Sequence, residues 1–118
     1  MVTSHYFDAD VLDDGQTAVL RLRADAASDR QLCGELQEAV LGFVESMKPQ
    51  RLIVDFAEIH RMVSATINTL LLARKTLKSR QGSLLLCRMD NEIRRIFQTM
   101  RLEGVVFPIV DTVDQAQR

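Results

Sequence analysis

The chain has no tryptophan, a single tyrosine and only five phenylalanines in 118 residues. So few aromatics leave no platform on which nucleic acid bases could stack. The only histidines are His5 and His60, and the only cysteines are Cys33 and Cys87. They form no Cys/His/Asp cluster at metal-ligand spacing, so no metal and no cofactor is expected. Two scattered cysteines also exclude a disulfide framework. Each sits in an apolar pattern and reads as a small buried thiol of a reducing compartment. The five glycines stand singly, which rules out a glycine-rich phosphate loop. No serine lies in a nucleophile elbow, and an enzyme is not expected. Apolar runs extend only a few residues, too short to span a membrane. Met1 to Tyr6 lacks the basic-then-apolar order of a signal peptide, so the cytoplasm is expected by default.

Hydrophobic residues make up 47% and charged residues 26%, which suits one globular domain over residues 1–118 with one core. Net charge is -1, which gives no argument for nucleic acid or an anionic membrane. The charge is unevenly placed. Between Arg74 and Arg101 there are eight arginines and lysines against Asp90 and Glu92, so the C-terminal half is basic.

Tyr6–Val11 and Thr17–Arg23 read as strands around an Asp13-Asp14-Gly15 turn, and they pair as a hairpin. Ala24–Ala27 reads as a connector. Ser28 with Gln31 is a capping-box pattern, predicting a helix with apolar residues at Leu32, Leu36, Ala39, Val40, Phe43, Val44 and Met47, stopped by Pro49. Arg51–Phe56 is a β-branched, apolar strand of the kind covered on both faces. A loop leads to a helix from Ser64 to about Ser79. Ser83–Cys87 is another buried strand after Gly82. Asp90 caps a helix carrying Ile93, Ile96, Phe97 and Met100, closed by Gly104. Val105–Phe107 with Ile109–Val110 gives a last edge strand around Pro108, and a helical turn ends the chain. Strands alternating with helices predict an α/β fold: a mixed sheet of about four to five strands, an N-terminal hairpin, then βαβ crossovers.

Two polar residues invite chemistry. His60 could serve as a base near Ser64, but it reads first as a surface loop histidine. Asp55 ends a central strand, where a carboxylate could accept a phosphoryl group. Such a site needs an acidic pair at the end of the first strand for a cation, whereas Asp13-Asp14 lies in a turn leading into another strand, and it needs a lysine at the end of Ser83–Cys87, where none stands. Asp55 reads instead as a strand-end carboxylate capping neighbouring backbone amides.

Taken together, Arg51–Phe56, Ile59–Ala65, the apolar helix after them, Gly82–Cys87 and Ile93–Leu102 resemble the STAS domain. This is the fold of bacterial anti-sigma factor antagonists, also found in sulfate-transporter tails and stressosome scaffolds. The resemblance implies a regulatory protein-binding module in a bacterial cytoplasm, docking an anti-sigma factor or a related ATP-binding serine kinase. It implies a monomer or weak dimer; a self-assembling, stressosome-like scaffold subunit is the alternative. In the family the loop-to-helix turn carries Asp-Ser-Ser-Gly, and the second serine is phosphorylated. Here Val63, Ser64, Ala65 and Thr66 stand at those positions, so the acceptor hydroxyl is missing at Ala65. The Gly-Glu-Leu-Asp pattern expected after the second strand is also replaced, by Arg23-Ala24-Asp25-Ala26. Ser64 reads first as the helix N-cap and second as a modified or partner-contacting serine, with Thr66 the substitute acceptor. Helical spacing puts Thr66, Ile67, Leu70, Ala73 and Leu77 on the core side. Asn68, Thr69, Leu72, Lys75 and Thr76 face outward. The partner surface is therefore expected at Val63, Ser64, Ala65, Thr66, Asn68, Thr69, Leu72 and Lys75, with Leu72 as anchor and Lys75 at its rim.

Overall fold

The sheet grows in the order of the chain. The computed structural model describes residues 2–117; Met1 and Arg118, ends of the expected domain, lie outside them. β1 (Val2–Thr3) is a short strand beside β2 (Phe7–Leu12). β2 and β3 (Thr17–Leu22) form the expected hairpin, with Phe7 opposite Leu22 and Leu12 opposite Thr17. The turn between them is a 3-10 turn at Asp13–Gly15, where Asp13 and Gly15 take φ of 52° and 90°. That left-handed backbone is what Asp and Gly tolerate best.

From β3 onward every pairing is parallel. α1 (Ala24–Ser28) and α2 (Cys33–Met47) lead to β4 (Arg51–Asp55). α3 (Ser64–Lys78) leads to β5 (Ser83–Cys87), and α4 (Asn91–Thr99) to β6 (Ile109–Val110). α5 (Val113–Gln117) follows. The mixed α/β sheet with crossover helices is as expected, with β1 added at its edge.

Period-2 alternation sorts the strand residues between two faces. Leu20, Leu22, Leu52, Val54, Leu84 and Leu86 join Leu36, Val40 and Val44 of α2, Ile67, Leu70 and Leu77 of α3, and Ile93 and Phe97 of α4 in the main core. Val19, Ile53 and Cys87 point to the other face, where Ala116 of α5 covers them. Both faces of β4 are thus apolar, which is why its centre reads as an unbroken hydrophobic run. Phe97 stands at the middle of a ring cluster, 6.1 Å from Phe56 and 5.9 Å from Phe107, edge to face in both cases.

Several expected boundaries move. Ala24–Ala27 is helix, not connector, with Ala26 and Ala27 buried. Ser28 ends that helix, and the Asp29 carboxylate accepts from the Gln31 amide at 2.8 Å. This local turn replaces the capping box, so α2 starts later, at Cys33. Cys33 itself is only half-buried, unlike Cys87, and both thiols are free. α4 stops before Gly104: Arg101 takes φ of 59° and the Leu102 amide donates to the Phe97 carbonyl at 2.8 Å, a Schellman-type end. In place of the expected strand at Val105–Phe107, residues 104–106 form a turn closed by an isolated bridge between Glu103 and Phe107, and the amides of Val106 and Phe107 both donate to the Leu102 carbonyl.

Gly82 has a packing reason. A Cβ there would lie 2.8 Å from the Gln50 carbonyl oxygen and 3.1 Å from that of Leu77. Both are backbone and cannot swing aside. Gly82→Ala is expected to destabilise the fold by about 1–3 kcal/mol, measured by denaturant unfolding; an unchanged midpoint would show that the turn yields freely.

Candidate functional site

The end of β4 delivers the chain into a loop held at both ends. The Phe56 amide donates to the Cys87 carbonyl at 2.9 Å, and Phe56 and Ile59 are buried. At the far end the Val63 amide donates to the Ala27 carbonyl of α1 at 3.0 Å. α3 then opens at Ser64, as expected. The cap differs by one residue. Val63 occupies the N-cap position with extended backbone, and its carbonyl accepts from the Thr66 amide at 3.0 Å. Valine offers no side-chain oxygen, and Ser64, already helical, caps nothing. No acidic residue lies in the first turn. The helix start therefore presents free backbone N–H groups and an exposed serine to solvent.

Thr66 points inward. It is fully buried, and its hydroxyl donates to the same Ala27 carbonyl at 2.9 Å. Thr69, expected on the outward face, is also buried, with its hydroxyl 3.3 Å from the Ala65 carbonyl. Hydroxyls bound to backbone carbonyls, of α1 for Thr66 and of the same helix for Thr69, let threonine sit in a packed helix face, which residue type alone does not reveal. Ser64, Asn68 and Lys75 are exposed, and Val63, Ala65 and Leu72 are half-buried. Ser64, Asn68, Leu72 and Lys75 recur at spacings of four, four and three, so they form one stripe along α3. Leu72 is less exposed than its place among polar residues suggested.

His60 and Arg61 are exposed on the loop. His60 is a surface histidine with a partner: Nδ1 lies 3.0 Å from Asp90 Oδ2. The other Asp90 oxygen accepts from the Ile93 amide at 2.8 Å, so Asp90 caps α4 as expected. That amide, and further the imidazole, hold the Asp90 carboxyl below its ordinary pKa. His60 faces α4, and no hydrogen bond joins it to Ser64.

Asp55 is the residue whose surroundings sequence reasoning did not supply. It is completely buried and accepts the Ala57 amide at 2.9 Å, as a strand-end capping carboxylate should. It also receives Arg88 through Nε at 3.0 Å and Nη2 at 2.6 Å, and Arg21 through Nε at 3.3 Å. Burial alone would raise its pKa; the bonds from Arg88, the Ala57 amide and Arg21 outweigh burial and hold the carboxyl below its ordinary value. Asp8, Arg21, Asp55 and Cys87 are successive register partners across β2 to β5, a row of three charged residues and a thiol on the back of the sheet. Burial beside Asp55 pushes the Cys87 thiol up to about 12. Period-2 alternation could have placed Arg21 and Asp55 on one face, but their pairing depends on register.

Among the described residues, no three His, Cys, Asp or Glu side chains gather to hold a metal ion. Among the described residues, no helix is long and apolar enough to cross a membrane. The arrangement offers surfaces and ion pairs.

A sequence model of the STAS domain matches residues 11–116. Several solved structures share the fold. An anti-sigma-factor antagonist (STAS) domain protein from Planctomyces limnophilus is 18% identical with TM-score 0.79, covering 93% of each chain. The phosphorylated Bacillus cell fate determinant SpoIIAA is 19% identical with TM-score 0.70, covering 94% of this chain and 96% of its own. A variant of RsbS from Moorella thermoacetica is 11% identical with TM-score 0.76, covering 97% and 92%.

Proposed function

Because this chain belongs to the STAS domain family, we propose that it is a regulatory protein-binding module of the anti-sigma factor antagonist type and not a catalyst. It docks an anti-sigma factor, or a related ATP-binding serine kinase, in the cytoplasm. Contact is made through the loop before α3 and the stripe Ser64, Asn68, Leu72 and Lys75. The observation that carries this reading is the open start of α3: an exposed Ser64 and uncapped backbone amides beside a partly apolar stripe. Such a surface can be gripped by donors, acceptors and an apolar anchor without any reacting group.

Regulation departs from the family pattern. Ala65 has no hydroxyl for a kinase to use. Thr66 is a poor substitute, since its hydroxyl is buried and bound to Ala27. Ser64 is the one hydroxyl of the turn left accessible. The chain therefore binds its partner constitutively, and release of a sigma factor follows from competition for the shared surface.

The test is calorimetric titration of the purified chain with the anti-sigma factor of its own organism. The double change Leu72→Ala with Lys75→Ala is expected to weaken binding on the order of 10- to 100-fold, as loss of an apolar anchor does. Retained affinity would remove this surface from consideration. Incubation of the complex with ATP, followed by mass spectrometry, is expected to leave Ser64 and Thr66 unmodified; phosphate on either would restore a switch.

A further inference from the structure

We propose that Arg21 and Arg88, on the face of the sheet opposite α1–α4, form a binding site for a phosphate-type oxyanion. This inference goes beyond the partner surface on α3 and does not depend on it.

Both guanidiniums converge on one carboxylate oxygen. Asp55 Oδ2 accepts Arg88 Nη2 at 2.6 Å and Arg21 Nε at 3.3 Å. Sharing one atom holds the two cations close together, although like charges repel. Asp55 neutralises one of the two. It is fully buried, while each arginine side chain is 41% exposed, so the carboxylate lies beneath and the cations face solvent. Arg21 Nη1 and Nη2 and Arg88 Nη1 have no partner among the described residues. Three guanidinium nitrogens are thus left unbonded on side chains that are 41% exposed, and planar guanidinium forks match the oxygens of a phosphate.

The surroundings fit. The nearest other carboxylate of the row, Asp8, is occupied by Arg23 at 2.9 Å. Asp10 lies one step further along β2, opposite Val19 and not Arg21. The backbone at Arg88 takes φ of 54°, a conformation arginine rarely adopts. The chain bends there as it leaves β5, and the Arg88 side chain returns onto β4. The pair sits at the C-terminal ends of parallel strands, where open α/β sheets take their ligands. Among the described residues, neither arginine has an ion pair with a second carboxylate that would have to be displaced.

The experiment is a titration of the whole chain with inorganic phosphate, followed by 15N NMR of backbone amides and arginine Nε–H groups. Chloride at equal ionic strength is the reference. Saturable shifts centred on Arg21, Arg88 and the amide of Ala57 are expected. Arg21→Gln keeps the bidentate Arg88–Asp55 pair, so the variant should remain folded while its phosphate affinity falls at least fivefold. Shifts that never saturate, that spread over all surface cations, or that persist unchanged in Arg21→Gln overturn the proposal. Parallel titrations with glycerol 3-phosphate and with a phosphoserine peptide distinguish the source. Whichever binds more tightly than inorganic phosphate, and loses that advantage in Arg21→Gln, supplies the group. If both bind in the variant as in the wild type, the site does not exist.

Discussion

Asp55→Ala is expected to cost about 2–4 kcal/mol of unfolding free energy, because removing one partner of a buried ion pair strands what remains. The carboxylate accepts four hydrogen bonds, from the Ala57 amide, twice from Arg88 and once from Arg21. Alanine leaves that amide unpaired and removes the only charge holding two cations together. The arginines can turn to water, which keeps the loss toward the lower end. The pH dependence has a definite sign. The folded carboxyl titrates below its ordinary value, so the unfolded chain takes up its proton first. The stabilisation is complete above the unfolded pKa of about 3.9 and disappears as pH falls through the folded value. Denaturant unfolding from pH 7 into the acid range should show the wild type losing this share and the variant having none to lose. Parallel pH profiles for the two proteins would refute the assignment.

Phe97→Ala should cost more, about 3–5 kcal/mol, the range for deleting a large buried aromatic. Phe97 is fully buried and is the one ring touching both others of its cluster. Its loss separates Phe56, at the exit of β4, from Phe107, in the turn before β6. For a chain of this size a few kcal/mol amounts to a fall of roughly 10–20 °C in the thermal midpoint. Phe97→Leu, which fills most of the space, should fall far less. Equal losses in the two variants would mean that the pocket collapses around either residue, and the cluster would then not organise α4.

The residues that announce β4, α3 and β5 did so for a simple reason. Strands with both faces covered are continuously apolar, and a helix packed along one side repeats at three and four. The ends of elements were harder. Lys48, Gln81, Arg88 and Arg101 all turn the chain with positive φ, at 47°, 62°, 54° and 59°. Glycine is the usual signal for such a turn, so residue type pointed to Gly104 where Arg101 does the work. The start of α3 at Ser64 was read correctly, but its N-cap was misplaced by one residue because Val63, which has no capping oxygen, is fixed by the hydrogen bond from its amide to the Ala27 carbonyl, 36 residues earlier in the chain. The same holds for Thr66 and for Asp55. Thr66 reaches Ala27 of α1, and Asp55 meets Arg21 of β3 and Arg88 just after β5, all distant in the chain. Helical period alone places Asn68, Leu72 and Lys75 outward, and Asn68 and Lys75 are exposed. The same period put Thr66 on the core side, where it lies, but Thr69 outward, although Thr69 is buried with its hydroxyl bound to the Ala65 carbonyl.

The strands lie side by side in the order in which the chain is made. Translation can therefore build the sheet one edge at a time, with no gap left for a later strand to enter. A nascent chain that has emerged as far as β4 contains Arg21 and Asp55 but not yet Arg88, the two-bond partner of that carboxylate. Arg88 arrives with the next strand and closes the bond that buries the carboxylate. The molecule thus carries a marker of how far its own assembly has proceeded, and a ribosome stalled between β4 and β5 should yield an intermediate more sensitive to protease at the end of β4 than the finished protein.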